Sequence, residues 1–219
     1  KLNALSLDML DEMIRVLDII AADKSVRVFL MTGAGRGFCA GADLSAGGPG
    51  DERQNDMTRG DKVRKDMTEK FNPAIKRILD LQVPTICAVN GVAAGGGYGV
   101  ALSCDLVIAA ESAKFILVFT PQLGLIPDLG ASWHPPRVMG RARAMASAFF
   151  GDKMSAKDAV ETGLIWKCVP DETLIDEAMT VANTLKKGPT QAYPAVRKAF
   201  DAAFSQTLHE QLDMERDIQ

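Results

Sequence analysis

The sequence predicts an α/β protein whose strands pair mostly in parallel and whose C-terminal part is helical. Three observations carry that prediction. Short, predominantly apolar runs occur at 26–33, 84–91 and 105–110, as expected of strands buried on both faces. Stretches with helical spacing or small residues alternate with them, the pattern of strand–helix–strand units. From residue 140 onward the spacing reads as helical.

Taken in order, Leu7, Leu10, Ile14, Leu17 and Ala21 recur at three- and four-residue steps after Ser6, so a capped amphipathic helix is predicted over 6–22. "VRVFLMTG" (26–33) reads as a buried strand ending in glycine. Residues 45–70 are Gly-rich and then heavily charged, which predicts a mobile surface loop leading into a helix around 62–80. "PTICAVNG" (84–91) is a second strand, running into "VAAGGGYGVALS", whose small residues can open a helix. "DLVIAA" (105–110) is a third, followed by the apolar "AKFILVF" (113–119). Later come "GRARAMASAFFG", "SAKDAVETG" with Ser155 as N-cap and Gly163 as stop, "ETLIDEAMTVANTLKKG" and "TLHEQLDMERDI", all helical.

Bulk composition narrows the function classes. The 219 residues are 47% hydrophobic, enough for a large core, and the net charge of −3 with no Lys/Arg run argues against a nucleic-acid partner. No apolar run approaches the roughly 20 residues that cross a bilayer, so no membrane partner is expected. No secretory signal is visible, although the chain begins at Lys1 without a Met. Cys39, Cys87, Cys104 and Cys168 lie far apart among apolar or small neighbours and read as reduced, buried thiols of a cytosol-like compartment. With only His134 and His209 and no paired Cys, no metal site is expected.

Two glycine-rich turns each follow a buried strand: "GAGRGFCAGADL" (33–44) and "NGVAAGGGYG" (90–99). The first lacks the Gly-Lys-Ser/Thr of a phosphate loop. The second resembles a dinucleotide turn, but the stretch from Gly97 to Asp105 is too short for a parallel crossover. Tight bending of the backbone alone can explain both. Alternatively, two loops at strand ends present free N–H groups that converge on one oxygen, with a helix dipole adding to the attraction if Gly96 opens a helix. One further stretch, "TPQLGLIPDLGASW" (120–133), holds a single ionisable group, Asp128, in uncharged surroundings. Such a setting raises a carboxyl pKa, so Asp128 is either a turn residue bonding local N–H groups or a proton carrier.

The strings "LNALS", "GFCAGADL", "PTICAVNGVAAGGG", "CDLVIAAESAKF", "LGLIPDLGASW" and "SAKDAVETGLI" resemble, in order and spacing, the enoyl-CoA hydratase/isomerase (crotonase) superfamily over nearly the whole chain. Within it, "GLIPD…GRARAMA" and "LDMERD" are most similar to the ring-1,2-epoxyphenylacetyl-CoA isomerases of phenylacetate breakdown. The resemblance implies a crotonase-like spiral of ββα repeats over 1–168, holding the CoA and oxyanion site, and a helical oligomerisation region over 169–219 that is truncated relative to the family. It implies an acyl-CoA thioester substrate, no cofactor beyond the CoA of that substrate, and a homotrimer or homohexamer; the thiols above make a cytoplasmic location the expectation. By the same resemblance the oxyanion donors are the N–H groups of Ala42 and Gly96. Ala40, Asp43, Leu44, Gly97 and Tyr98 line the CoA or acyl path, and Asp128 falls where the CoA isomerases carry their acid.

Departures from the family pattern bear on the reaction. Of the two hydratase glutamates, the first falls on Gly99 and the second on Phe119 or Thr120, none of them acidic. Hydration needs one group to take a proton from water and another to give one to carbon, whereas a single carboxylate can move a proton between two carbons. An isomerase is therefore expected, with a lyase or dehalogenase of the same family, or a non-catalytic acyl-CoA-binding homologue, as alternatives. His134 and Cys39 are weaker candidates, expected to be packed side chains, and Asp105 and Glu111 are expected to be structural.

Overall fold

The computed structural model describes residues 2–43 and 57–219. Helix α1 (Leu7–Ala22) is capped by Ser6, whose hydroxyl accepts from Met9 N–H, and buries Leu10 and Leu17. It packs on α3 (Asn72–Asp80), reached from strand β1 (Phe29–Thr32) through α2 (Arg59–Asp66) and one π-helical turn (Met67–Phe71). The widened turn has a local cause. Pro73 has no N–H to donate and its ring crowds the carbonyl four residues back, so the helix loosens just before it. The helix expected around 62–80 thus begins at Arg59, within the stretch expected as a surface loop; 44–56 lie outside the described residues.

Strand β2 (Thr85–Val89) is wholly buried. After the turn at Asn90 and Gly91 the chain leaves that sheet for β3 (Val92–Ala94) and then enters α4 (Gly96–Leu102). Strand β4 (Leu106–Ala110) returns to lie parallel to β2, and β5 (Lys114–Ile116) pairs in parallel with β3. This alternation of a first strand in one sheet, a second strand in the other and a helix gives the ββα repeat. It also resolves the short Gly97–Asp105 interval, since the crossover from β2 to β4 spans β3 as well as α4.

A π-helical turn (Phe119–Leu123) stops at Gly124 in a left-handed conformation and leads through the Asp128 turn to α5 (His134–Val138) and α6 (Arg141–Phe150). Strand β6 (Met154–Ser155) pairs antiparallel with β5. Ser155 then caps α7 (Ala156–Glu161) in a reciprocal box with Asp158, and Gly163 follows at φ +78°. Strand β7 (Lys167–Val169) adds to β4, giving sheet orders β1-β2-β4-β7 and β3-β5-β6. The chain closes with α8 (Leu174–Leu185), α9 (Ala192–Ala202) and α10 (Leu208–Ile218).

Three expectations change. The region after residue 140 is not purely helical, because Lys167, Cys168 and Val169 hydrogen-bond along β4. Strand β1 is half-buried, being the sheet edge. Cys168 is half-buried where Cys39, Cys87 and Cys104 are buried, although all four are free thiols. Residue 168 lies within β7, and α8 packs across β1, β2 and β4, burying Leu174 and Ala178 in the common core. Among the described residues no helix is long and apolar enough to cross a membrane.

Candidate active site

The first glycine turn is held from three sides. Asn90 accepts from Gly33 N–H and donates to the carbonyls of Gly33 and Gly35, joining the ends of β1 and β2. Asn3, itself at φ +54°, donates to the carbonyls of Ala34, Gly37 and Phe38. Cys39 N–H bonds Val92 O at 2.9 Å and Cys39 O accepts from Ala94 N–H at 2.9 Å, so the outgoing chain joins β3.

Gly41 then turns at φ +94°, a conformation that glycine adopts without penalty. Its carbonyl accepts from Leu5 N–H at 2.8 Å, and Asp43 N–H bonds Leu5 O at 3.0 Å. A trans peptide directs C=O and N–H to opposite sides, so the Ala42 N–H faces away from Leu5. Gly96 lies beside this peptide: a Cβ on Gly41 would stand 3.4 Å from Gly96 N, and one on Gly96 would stand 3.9 Å from Gly41 Cα. As the first residue of α4, Gly96 offers an N–H outside the helix's own ladder. Among the described residues neither the Ala42 N–H nor the Gly96 N–H donates to a protein acceptor.

Asp128 begins a tight turn in which Ala131 N–H bonds Asp128 O at 2.8 Å. Both central residues are left-handed, Leu129 at φ +51° and Gly130 at φ +85°. Glycine tolerates this, but for leucine it costs about 1–2 kcal/mol. The strain is matched by burial: Leu129 is 5% exposed and sits on α4. A Cβ on Gly96 would lie 2.9 Å from Leu129 Cδ1, and one on Gly99 would lie 2.9 Å from Leu129 Cβ and closer still to its carbonyl oxygen. The fold therefore brings the Asp128 turn onto the helix that carries Gly96. Burial pushes the half-buried Asp128 carboxyl up to about 6, and its own backbone N–H offsets this only in part.

The remaining expected residues divide. Ala40 is exposed, with its N–H on Leu2 O. Gly97 faces Cys39: a Cβ there would lie 2.6 Å from Cys39 Cβ and closer still to its carbonyl, so this glycine permits close packing. Tyr98 points into the core, 1% exposed, edge-on to Phe115 with its hydroxyl unpartnered among the described residues. Leu44 lies outside the described residues. At the second hydratase position Phe119 is buried and Thr120 donates to Leu125 O.

Cys39 has its thiol pKa raised by burial, which disfavours a nucleophilic thiolate. His134 packs edge-on against Trp133, and burial with the nearby Arg137 lowers its pKa to about 4, leaving it neutral near pH 7. Asp105 is structural: it accepts from Thr85 and pairs with Arg197. Among the described residues no group of three or more His, Cys, Asp or Glu could hold a metal ion. A surface depression of about 500 Å3 lined by Met57, Asp61, Arg64, Lys65, Thr68 and Glu69 contains none of the expected site residues.

Sequence reasoning missed Leu129, Gly41, Asn3 and Leu5 as organisers of this region. A Pro-Asp-Leu-Gly string signals a turn, but no local signal marks the leucine as left-handed.

Comparison with known proteins agrees with this architecture. A family profile described as enoyl-CoA hydratase/isomerase matches residues 1–219. The 1,2-epoxyphenylacetyl-CoA isomerase of Escherichia coli is 46% identical, the match covering 100% of this chain and 81% of that protein. A protein of Rhodobacter capsulatus named probable enoyl-CoA hydratase is 39% identical, with 100% of this chain and 80% of that one covered. The crystal structure of an enoyl-CoA hydratase from Bacillus anthracis superposes with a TM-score of 0.87 at 34% identity, over 98% of this chain and 80% of that one.

Proposed function

The chain belongs to the enoyl-CoA hydratase/isomerase family, and from that premise we propose that it isomerises an acyl-CoA thioester. The thioester carbonyl oxygen accepts from the N–H groups of Ala42 and Gly96. Asp128 removes a proton from a carbon conjugated with that carbonyl, and the electron pair moves onto the oxygen. The protonated Asp128 returns the proton to a different carbon as the oxygen's charge flows back, leaving a shifted double bond. Donors already aimed at a developing oxyanion need no reorganisation during the step, and one such donor is worth on the order of 3 kcal/mol of barrier. With a ring-epoxide ester the same oxyanion site polarises the thioester during ring expansion to an oxepin. The likeness to the Escherichia coli enzyme favours testing that substrate.

The observation that carries this reading is the state of Asp128: a half-buried carboxyl, raised to about 6 by burial, on a turn packed against Gly96 and Gly99. A base near neutrality is efficient for proton transfer. The hydratase reading, suggested by the Rhodobacter capsulatus relative, is less favoured because Gly99 is covered by Leu129 and Phe119 and Thr120 are not acidic.

Turnover of a 3-enoyl-CoA, followed as absorbance growth from conjugation, tests the proposal. Asp128→Asn is expected to slow it by roughly 10²–10⁴-fold while acyl-CoA binding stays within a few-fold. A fully active Asp128→Asn would remove the reading. Binding without turnover by the unsubstituted chain, on enoyl and ring-epoxide esters alike, would favour a non-catalytic acyl-CoA-binding protein. Water addition to a 2-enoyl-CoA as the faster reaction would favour the hydratase.

A further inference from the structure

We propose that Leu129 is a positioning residue: seated in the hollow left by Gly96 and Gly99 on α4, it sets the aim of the Asp128 carboxyl and shields it from water. The inference rests on Asp128 being the proton carrier.

Three observations converge on it. Apart from Leu2 and Asn3, Leu129 is the one non-glycine held at positive φ among the described residues. A left-handed position ordinarily favours Gly or Asn, so a leucine there carries strain that its side-chain contacts must offset. That side chain meets Gly96 and Gly99, three residues apart and therefore on one face of α4, and any Cβ at either position would collide with it. Finally, Leu5 Cδ1 stands 3.0 Å from the position a Cβ on Gly96 would take, beside the 2.9 Å approach of Leu129 Cδ1. Leu5 also supplies the N–H that holds the Gly41 carbonyl. One apolar junction thus joins the Asp128 turn, the Gly96 amide and the segment that orients the Ala42 amide. A turn carrying only glycine or alanine at 129 would lose that anchor and admit water beside Asp128.

The cause of the raised Asp128 pKa fits this role, since burial dominates and no charged side chain contributes to it. His134, three residues past the turn and in contact range of Gly130, is held neutral and adds no charge near pH 7.

The test uses Leu129→Gly and Leu129→Met in the full chain, beside Asp128→Asn, with a 3-enoyl-CoA as probe. Glycine suits the left-handed backbone, so Leu129→Gly keeps the turn while deleting the anchor. Its kcat is expected to fall about tenfold or more with KM within about threefold, because small misplacements of a reacting group cost one to two orders of magnitude. The acid limb of its kcat–pH profile is expected to move from about 6 towards the ordinary carboxylate value near ~4. Leu129→Met, which refills the hollow with a flexible apolar chain, should restore both kcat and the limb.

A purely structural leucine would change stability and leave the limb in place, and that result overturns the proposal. The 13C carboxyl titration of Asp128, identified by its absence in Asp128→Asn, reads the same shift without turnover. Should Leu129→Gly fail to fold, Leu129→Ala against Leu129→Met carries the same comparison. An inert Asp128→Asn with Leu129→Gly unchanged defeats only the role of Leu129. A fully active Asp128→Asn defeats the reading beneath it, whereas the titration still decides whether Leu129 shields the carboxyl.

Discussion

At the scale of one residue, Asp128 links reactivity and stability with opposite signs. An unfolded Asp titrates near 3.9 and the folded one near about 6, so between those values the folded chain holds a proton that the unfolded chain has lost. Unfolding free energy therefore falls as pH rises through that window, and the loss is complete above about 6. Discounted for partial exposure, the penalty at neutral pH is about 1–2 kcal/mol. Asp128→Asn should be more stable than the parent by that amount at pH 7.5 and no more stable at pH 4, as read from urea unfolding at the two pH values. Turnover by the parent should rise with pH through about 6, since only the ionised carboxylate accepts a proton. A variant destabilised at pH 7.5 would mean that the carboxylate has a favourable partner and that burial is not what governs it.

Between elements, the approach of α4 to the 38–43 segment sets the tolerance for side chains. A Cβ at 97 would run into the backbone of Cys39, which is fixed by two hydrogen bonds to β3 and cannot yield cheaply. A Cβ at 96 would meet only the tips of Leu5 and Leu129, which can rotate. Gly97→Ala should therefore cost about 3 kcal/mol in thermal or urea unfolding and Gly96→Ala distinctly less. Equal costs would show that α4 moves as a body and that the contact with Cys39 is soft.

The same comparison explains what was legible among the elements. Helix α1 and the cap of α7 follow from apolar spacing and from serine caps, both local signals. Strand β7 escaped because three residues show no period, and it exists only because β4 offers an open edge. Helix α9 was not singled out either, although Tyr193, Val196 and Phe200 stand at three- and four-residue steps; in the structure none of its residues is buried.

For the whole molecule, Arg197 ties the C-terminal helices to the sheet. Its guanidinium pairs with both oxygens of Asp105 at 2.6 Å and donates to the carbonyls of Leu79, Leu81 and Val83. Asp105 in turn accepts from the Thr85 N–H and hydroxyl at the start of β2. With the arginine side chain 15% and the carboxylate 26% exposed, removing one partner leaves the other poorly solvated. Arg197→Met is expected to lower unfolding free energy by roughly 3 kcal/mol. Amide hydrogen exchange should quicken in α9 and α10 before it does in β2 and β4, the two central strands of their sheet. Uniform acceleration would show that the cluster supports the entire core instead of docking its C-terminal part.

The sequence by itself determined the α/β class, most helices and the family, and it marked the glycine-rich turns at 33–44 and 90–99 and the lone acid at 128. These are legible because amphipathic period, caps and glycine clusters are properties of neighbours along the chain. Only the tertiary structure decided that the Gly41–Ala42 peptide turns its N–H away from Leu5 and lies beside Gly96. It also decided that a left-handed Leu129 fills the face of α4 that Gly99 leaves bare. The direction of an amide and the burial of a carboxyl depend on segments dozens of residues apart meeting in space, and no pattern within one segment encodes that meeting.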